Sequence, residues 1–169
     1  MSVSKRFRHP AAIAAFVLGS AALGAALAQT PPAAGAAAPG PTPAERAIEY
    51  RQAVFKIVSG NFGPLSQVAQ GKAEFKSEAV TRQSARLAQI ATFVGDAHPE
   101  ISREGKTRAL PAVWTNRKEF EQIAQDFAAH AKTLAEVSEN SSSAGEEFKA
   151  AVGAVGNDCK ACHDKFRSK

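Results

Sequence analysis

The sequence predicts an all-α protein, an antiparallel up-down-up-down four-helix bundle. Three observations predict it. Four segments between residues 43 and 166 repeat apolar residues at spacings of three and four, the period of a helix buried along one side. No segment alternates apolar with polar residues over the roughly four to eight positions of a half-buried strand. The breaks between the four segments carry Gly, Pro, Asn or Ser.

The segment before the first helix is read as a targeting signal. Lys5, Arg6 and Arg8 form a basic start, residues 11–27 are apolar and small, and Ala26-Leu27-Ala28 offers a cleavage site before Gln29. A retained membrane anchor is the competing reading, and the short Ala/Gly-rich run argues against it. Residues 1–28 are therefore expected to be a signal peptide that delivers the chain to a bacterial periplasm. Their removal takes away three basic residues and no acidic one, lowering the formal charge from +5 to +2. No basic stripe with interleaved aromatics remains, which excludes nucleic acid as a partner. Residues 29–43 (QTPPAAGAAAPGPTP) are a flexible Pro/Ala/Gly-rich lead-in. Residues 44–169 make one domain.

The first helix starts at Thr42, a plausible N-cap, with Pro43 at the first helical position and Glu45 in the first turn. Ile48, Tyr50, Val54, Phe55, Ile57, Val58 and Phe62 share one arc of it. Gly60 and Gly63-Pro64 are expected to break it near Val58. A second helix spans about residues 72–97, with Val80, Gln83, Leu87, Ile90 and Val94 as its stripe, and stops at Pro99. A polar connection follows and ends in Pro111-Ala112-Val113-Trp114. The third helix, about residues 117–136, carries Phe120, Ile123, Phe127, Ala131 and Leu134. Asn140 and residues 141–143 turn the chain into the last helix, about residues 144–166. There Phe148, Ala151, Val152, Val155, Cys159, His163 and Phe166 lie along one side.

That last stripe runs into Cys159-Lys160-Ala161-Cys162-His163, a C-x-x-C-H sequence. This spacing is the attachment site of a c-type haem: two thiols add to the haem vinyl groups and the adjacent histidine ligates the iron. On a helix, the cysteines fall within one turn and His163, four residues after Cys159, projects from the same face. The alternatives fit poorly. A thioredoxin-like C-x-x-C needs a βαβ setting, structural zinc needs a fourth ligand, and a disulfide would close a very short loop.

Arg51 falls in the middle of the apolar arc of the first helix, with no acid on the same face. A buried guanidinium needs an anion, and a haem propionate is the candidate partner. Snorkelling to the bundle edge, or an acid from another helix, are the alternatives. Gln52 could add a hydrogen bond. The sole methionine is Met1, removed with the signal peptide, so a His/Met iron is excluded from the mature chain. Besides His163 the mature chain has His98 and His130, both read as surface histidines. The iron is therefore expected to be five-coordinate, with Phe55, one turn beyond Arg51, as an apolar lid over its open face.

With Tyr50-Arg51-Gln52, Pro111-x-x-Trp114 and Cys159-x-x-Cys162-His163-Asp164-x-Phe166-Arg167 in place, residues 44–169 resemble class II c-type cytochromes, the cytochrome c′ family. The resemblance implies a four-helix bundle with one covalent haem c, Arg51 against a propionate, and Phe55 at the position that is apolar in high-spin members. It also places Arg167 as a basic residue beside the proximal histidine; a favourable cation at a helix C-terminus is the other reading. The chain departs from the family most between Gly95 and Arg108, where aromatics near the distal face are replaced by Gly95-Asp96-Ala97-His98.

The function expected is that of a periplasmic mono-haem electron-transfer protein, not an enzyme, that exchanges electrons with a periplasmic redox partner and binds nitric oxide and carbon monoxide. The resemblance also allows a homodimer through the first two helices. The alternatives are a bis-His electron carrier with His98 as sixth ligand and, more remotely, a peroxidase-like haem enzyme using His98 as its acid/base group.

Overall fold

The protein is described by a computed structural model, and the described residues are 40–169. The signal peptide and most of the lead-in expected from the sequence lie outside them. Four long helices form the bundle: α1 (Pro43–Ala69), α2 (Ser77–Ala91), α4 (Arg117–Asn140) and α5 (Glu146–Phe166), with a one-turn α3 (Ala112–Thr115) before α4. No strand occurs among the described residues, only an isolated bridge between Ala109 and Arg167. None of the described helices is long and apolar enough to cross a membrane.

α1 starts as the sequence predicts. The Thr42 hydroxyl accepts from the Glu45 N–H at 3.2 Å, and the Glu45 carboxylate accepts from the Thr42 N–H at 2.7 Å, a reciprocal capping box. The helix does not end near Val58, as the two glycines and Pro64 suggest; it continues to Ala69 with Pro64 inside it. Two local facts permit this. Proline crowds the Cβ of the preceding residue, and that residue is Gly63, which has none. Beyond the proline, Leu65 and Val68 are buried in the core, so tertiary packing outweighs the lost backbone bond. The buried residues Arg51, Val54, Val58, Leu65 and Val68 form a narrow seam. Tyr50 and Ile57, expected on the apolar arc, stand at its edge and remain about half exposed.

α2 is shorter than expected. Residues 70–76 form a turn containing Gly71 at φ 69°, and beyond Ala91 the chain tightens into turns. There the Phe93 and Val94 amides bond the carbonyls of Ile90 and Ala91, three residues back. Its seam is Val80, Ser84, Leu87, Ala91 and Val94, with Ser84 rather than Gln83 inside. The Ser84 hydroxyl is accommodated by donating to the Val80 carbonyl at 2.9 Å.

α4 buries Phe120, Phe127, Ala131, Leu134 and Ser138, and α5 buries Phe148, Ala151, Val152, Val155 and Phe166. The seam of α5 steps by four and three through Phe148, Val152, Val155, Cys159, Cys162 and Phe166. Cys159 packs against the main core and Cys162 against a second cluster of Val113, Phe120 and Phe166. Each long helix packs on two others; α2 with α4 and α4 with α5 are extensive, whereas α1 and α5 touch least. The bundle is thus slackest between the helix of Arg51 and the helix of the cysteines.

Candidate haem site

A cavity of about 630 Å³ opens at the slack α1–α5 seam. Arg51, Gln52 and Phe55 of α1 line it, opposite Cys159, Cys162, His163 and Arg167 at the end of α5. Every residue singled out from the sequence as a haem contact therefore borders one space. Ile123, Ala124 and Phe127 of α4, with Val94, supply an apolar wall.

The two cysteines face this space from consecutive seam positions, both free and half-buried. Burial pushes their thiols up, that of Cys162 to about 11, so both are protonated at neutral pH. His163, expected on the apolar stripe, falls one position past the seam and is exposed while lining the cavity, and partial burial holds its imidazole below the usual value.

Arg51 is 4% exposed. Its Nη1 donates to the Ser102 hydroxyl at 2.6 Å and the Ala97 carbonyl at 3.4 Å; its Nη2 donates to the Thr107 hydroxyl at 2.7 Å and the Ser102 carbonyl at 3.3 Å. All four acceptors are neutral, so Arg51 neither snorkels to the edge nor pairs with an acid among the described residues. The guanidinium also lies over the Trp114 ring, 5.9 Å from its centre. Burial pushes its pKa down without discharging it. Gln52 lies beside it, donating to the Lys106 carbonyl at 3.3 Å.

Ser102 and Thr107 are partners of Arg51 that the sequence did not reveal, because they sit in a connection read as merely polar. That connection is pinned on both sides. The Leu110 N–H bonds the Phe166 carbonyl at 2.9 Å and the Ser168 N–H bonds the Arg108 carbonyl at 2.8 Å, tying it to the end of α5. Gly105, at φ 126°, brings it against Ile48 of α1.

The two remaining histidines differ from each other. His130 is exposed, outside the cavity, and bonded through Nδ1 to Asp158 at 2.7 Å. His98 is not the surface residue expected: it is 5% exposed and lines the cavity. Phe55 packs against its ring at 6.0 Å between centres and Phe120 at 4.7 Å. Its own turn buries it, since the Ala97-His98 end of the connection folds inward against Trp114 and α4.

A family profile described as Cytochrome C′ matches residues 46–167. The chain belongs to the cytochrome c′ family. Among curated relatives, cytochrome c′ of Rubrivivax gelatinosus is 36% identical over 124 residues, 73% of this chain and 95% of the relative. Cytochrome c prime from Shewanella frigidimarina superposes with a TM-score of 0.71 at 28% identity, covering 77% of this chain and 100% of that one. A nitric oxide complex of a variant cytochrome c prime from Alcaligenes xylosoxidans superposes with a TM-score of 0.67 at 27% identity, covering 75% and 97%. A carbon monoxide-bound variant of that cytochrome matches equally well, with the same TM-score, identity and coverage.

The cofactor of a cytochrome c′ is one covalently bound haem c, and the residues present fit such a group. The cavity has two thiols and an imidazole on one wall. Opposite them is a buried cation with no carboxylate partner among the described residues. The Trp114 ring lies beneath that cation, and its buried N–H has no hydrogen-bond acceptor among the described residues. A buried guanidinium without a carboxylate calls for an anion, which haem brings in its propionates.

Proposed function

We propose that the chain is a periplasmic electron-transfer cytochrome, not an enzyme, whose five-coordinate haem iron also binds nitric oxide and carbon monoxide. Haem supplies the one-electron chemistry and the affinity for diatomic gases. In this reading Cys159 and Cys162 would hold the haem by thioether bonds from the α5 seam, and His163 on the same helix would ligate its iron. Arg51 receives a propionate while Ser102 and Thr107 fix the direction of its guanidinium, and Gln52 adds a donor nearby. Phe55 covers the open face and keeps water out, and Arg167 contributes positive charge beside His163. A periplasmic redox partner protein would exchange electrons with the bound haem.

The observation that carries the reading is the single cavity in which Cys159, Cys162 and His163 face Arg51 and Phe55. The gas-bound relatives support the open axial position. A specific observation favours a second reading, a bis-His carrier: His98 borders the same cavity and bonds a backbone carbonyl through Nδ1, as iron-ligating histidines do. The ferric absorption spectrum of the holoprotein separates the two. A high-spin spectrum, with carbon monoxide binding to the ferrous protein without displacing a ligand, is expected. A low-spin ferric spectrum that turns high-spin in His98→Ala overturns the five-coordinate reading.

A further inference from the structure

We propose that His98 is the proton acceptor of the cavity, so that the site takes up weak acids HX, with hydrogen cyanide as the representative, and holds them as X⁻. The inference rests on the five-coordinate haem reading and extends it from gases that carry no proton to ligands that must lose one.

The tautomer of His98 is set by its neighbour. Nδ1 lies 2.9 Å from the Val94 carbonyl oxygen, which can only accept, so Nδ1 carries the hydrogen. A neutral imidazole then has its lone pair on Nε2, and no described residue donates to it. The ring is held from several sides, against Phe55, Phe120 and, at 6.5 Å between centres, Trp114. The proposed lid and the proposed base are therefore in direct ring contact.

The surroundings supply no rival. Among the described residues, the only carboxylate bordering the cavity is Asp158, which His130 engages at 2.7 Å. The charged groups acting on His98 are cations, Arg51 from α1 and Arg117 from α4. Arg117 donates to the His98 and Gly95 carbonyls. Burial foremost, with these cations, keeps the ring neutral and the Nε2 lone pair available; Arg117 is itself paired with Glu121 at 2.7 Å, and Arg51 is taken by the propionate in the proposed holoprotein.

The step balances without a redox partner. HX enters neutral, since a free anion resists leaving water. The H–X bond breaks, the proton passes to the Nε2 lone pair, and the bonding pair stays on X. X⁻ keeps that pair, with which it would bind the haem iron. Carbon monoxide and nitric oxide skip this step and do not need the base.

The test compares association rates of cyanide with the ferric holoprotein and of carbon monoxide with the ferrous holoprotein, at neutral pH. The ratio of the two rates is expected to fall by about tenfold or more in His98→Phe and in His98→Gln, neither of which takes up a proton. The ratio corrects for changes in access common to both ligands, and two variants of different shape guard against a packing artefact. An unchanged ratio in both variants overturns the proposal while leaving the five-coordinate reading intact. Failure of the wild-type ferrous protein to bind carbon monoxide overturns both. A low-spin wild-type ferric spectrum that turns high-spin in the variants makes His98 a ligand and overturns the proposal as well.

Discussion

At the scale of single residues, a guanidinium on a helix seam opposes burial unless acceptors and an anion surround it. Arg51 has the acceptors in Ser102, Thr107 and two backbone carbonyls, and no described residue supplies the anion. Arg51→Leu should therefore loosen the haem. It should also lower the reduction potential, because a nearby cation disfavours the ferric state; the expected size is of order 1 kcal/mol, tens of millivolts for one electron. Arg46→Leu, on an exposed part of α1, is the control, and equal negligible effects from the two would remove the propionate role. Phe55→Ala should speed carbon monoxide association by about tenfold, equivalent to ~1.4 kcal/mol of barrier; stopped-flow mixing with the ferrous protein measures it. Replacement of both Cys159 and Cys162 by alanine should abolish haem staining after denaturing electrophoresis, since no thioether would remain.

At the scale of elements, α1 shows packing overruling propensity. Pro64 removes one backbone bond from the interior of a 27-residue helix. Pro64→Ala should restore it and stabilise the protein by about 1–3 kcal/mol, visible as a rise in the thermal midpoint. A fall in the midpoint would mean that the proline ring itself is needed in the packing. The connection between α2 and α4 is the second element of consequence, since it holds Arg51, His98 and the end of α5 in one arrangement. Gly105 adopts φ 126° within it, a conformation that other residues rarely reach. Gly105→Ala should cost about 1–3 kcal/mol and disturb the haem site through Thr107 and Ser102, measurable as a lower midpoint together with a shifted haem absorption.

At the scale of the whole molecule, stability should depend on pH through His98. Burial foremost holds its imidazole down, from 6.5 to about 4, with Arg51 and Arg117 adding and the Val94 carbonyl opposing. The unfolded chain, with an ordinary imidazole near 6.5, binds the proton more readily. This contribution is therefore intact above about pH 6.5, is lost as the pH falls towards 4, and changes no further below that. The loss is about 3 kcal/mol. Denaturant midpoints followed from pH 7 to pH 4 should show it, and His98→Phe should flatten that part of the profile; an unchanged profile in the variant would place the acid sensitivity elsewhere.

The covalent chemistry and the fold class were legible in the sequence, because both depend on short-range spacing. C-x-x-C-H is complete within five residues, and seams stepping by three and four mark four helices without reference to one another. The seam position of Cys159 follows from the stripe that precedes it, whereas the same stripe, continued to His163, missed Cys162, which packs on the seam while His163 stays exposed. Other features depend on contacts between distant segments and carry no local mark. The passage of α1 through Gly63-Pro64 depends on what buries Leu65 and Val68. The burial of Ser84 and Ser138 depends on the neighbouring helices, since a serine breaks an apolar stripe when read alone. His98 read as a surface residue beside a proline until the connection folded inward and enclosed it. Arg51 was recognisable as an anomaly from its position on the wheel. Its actual partners, Ser102 and Thr107, lie 51 and 56 residues away, and only the tertiary structure brings them to it.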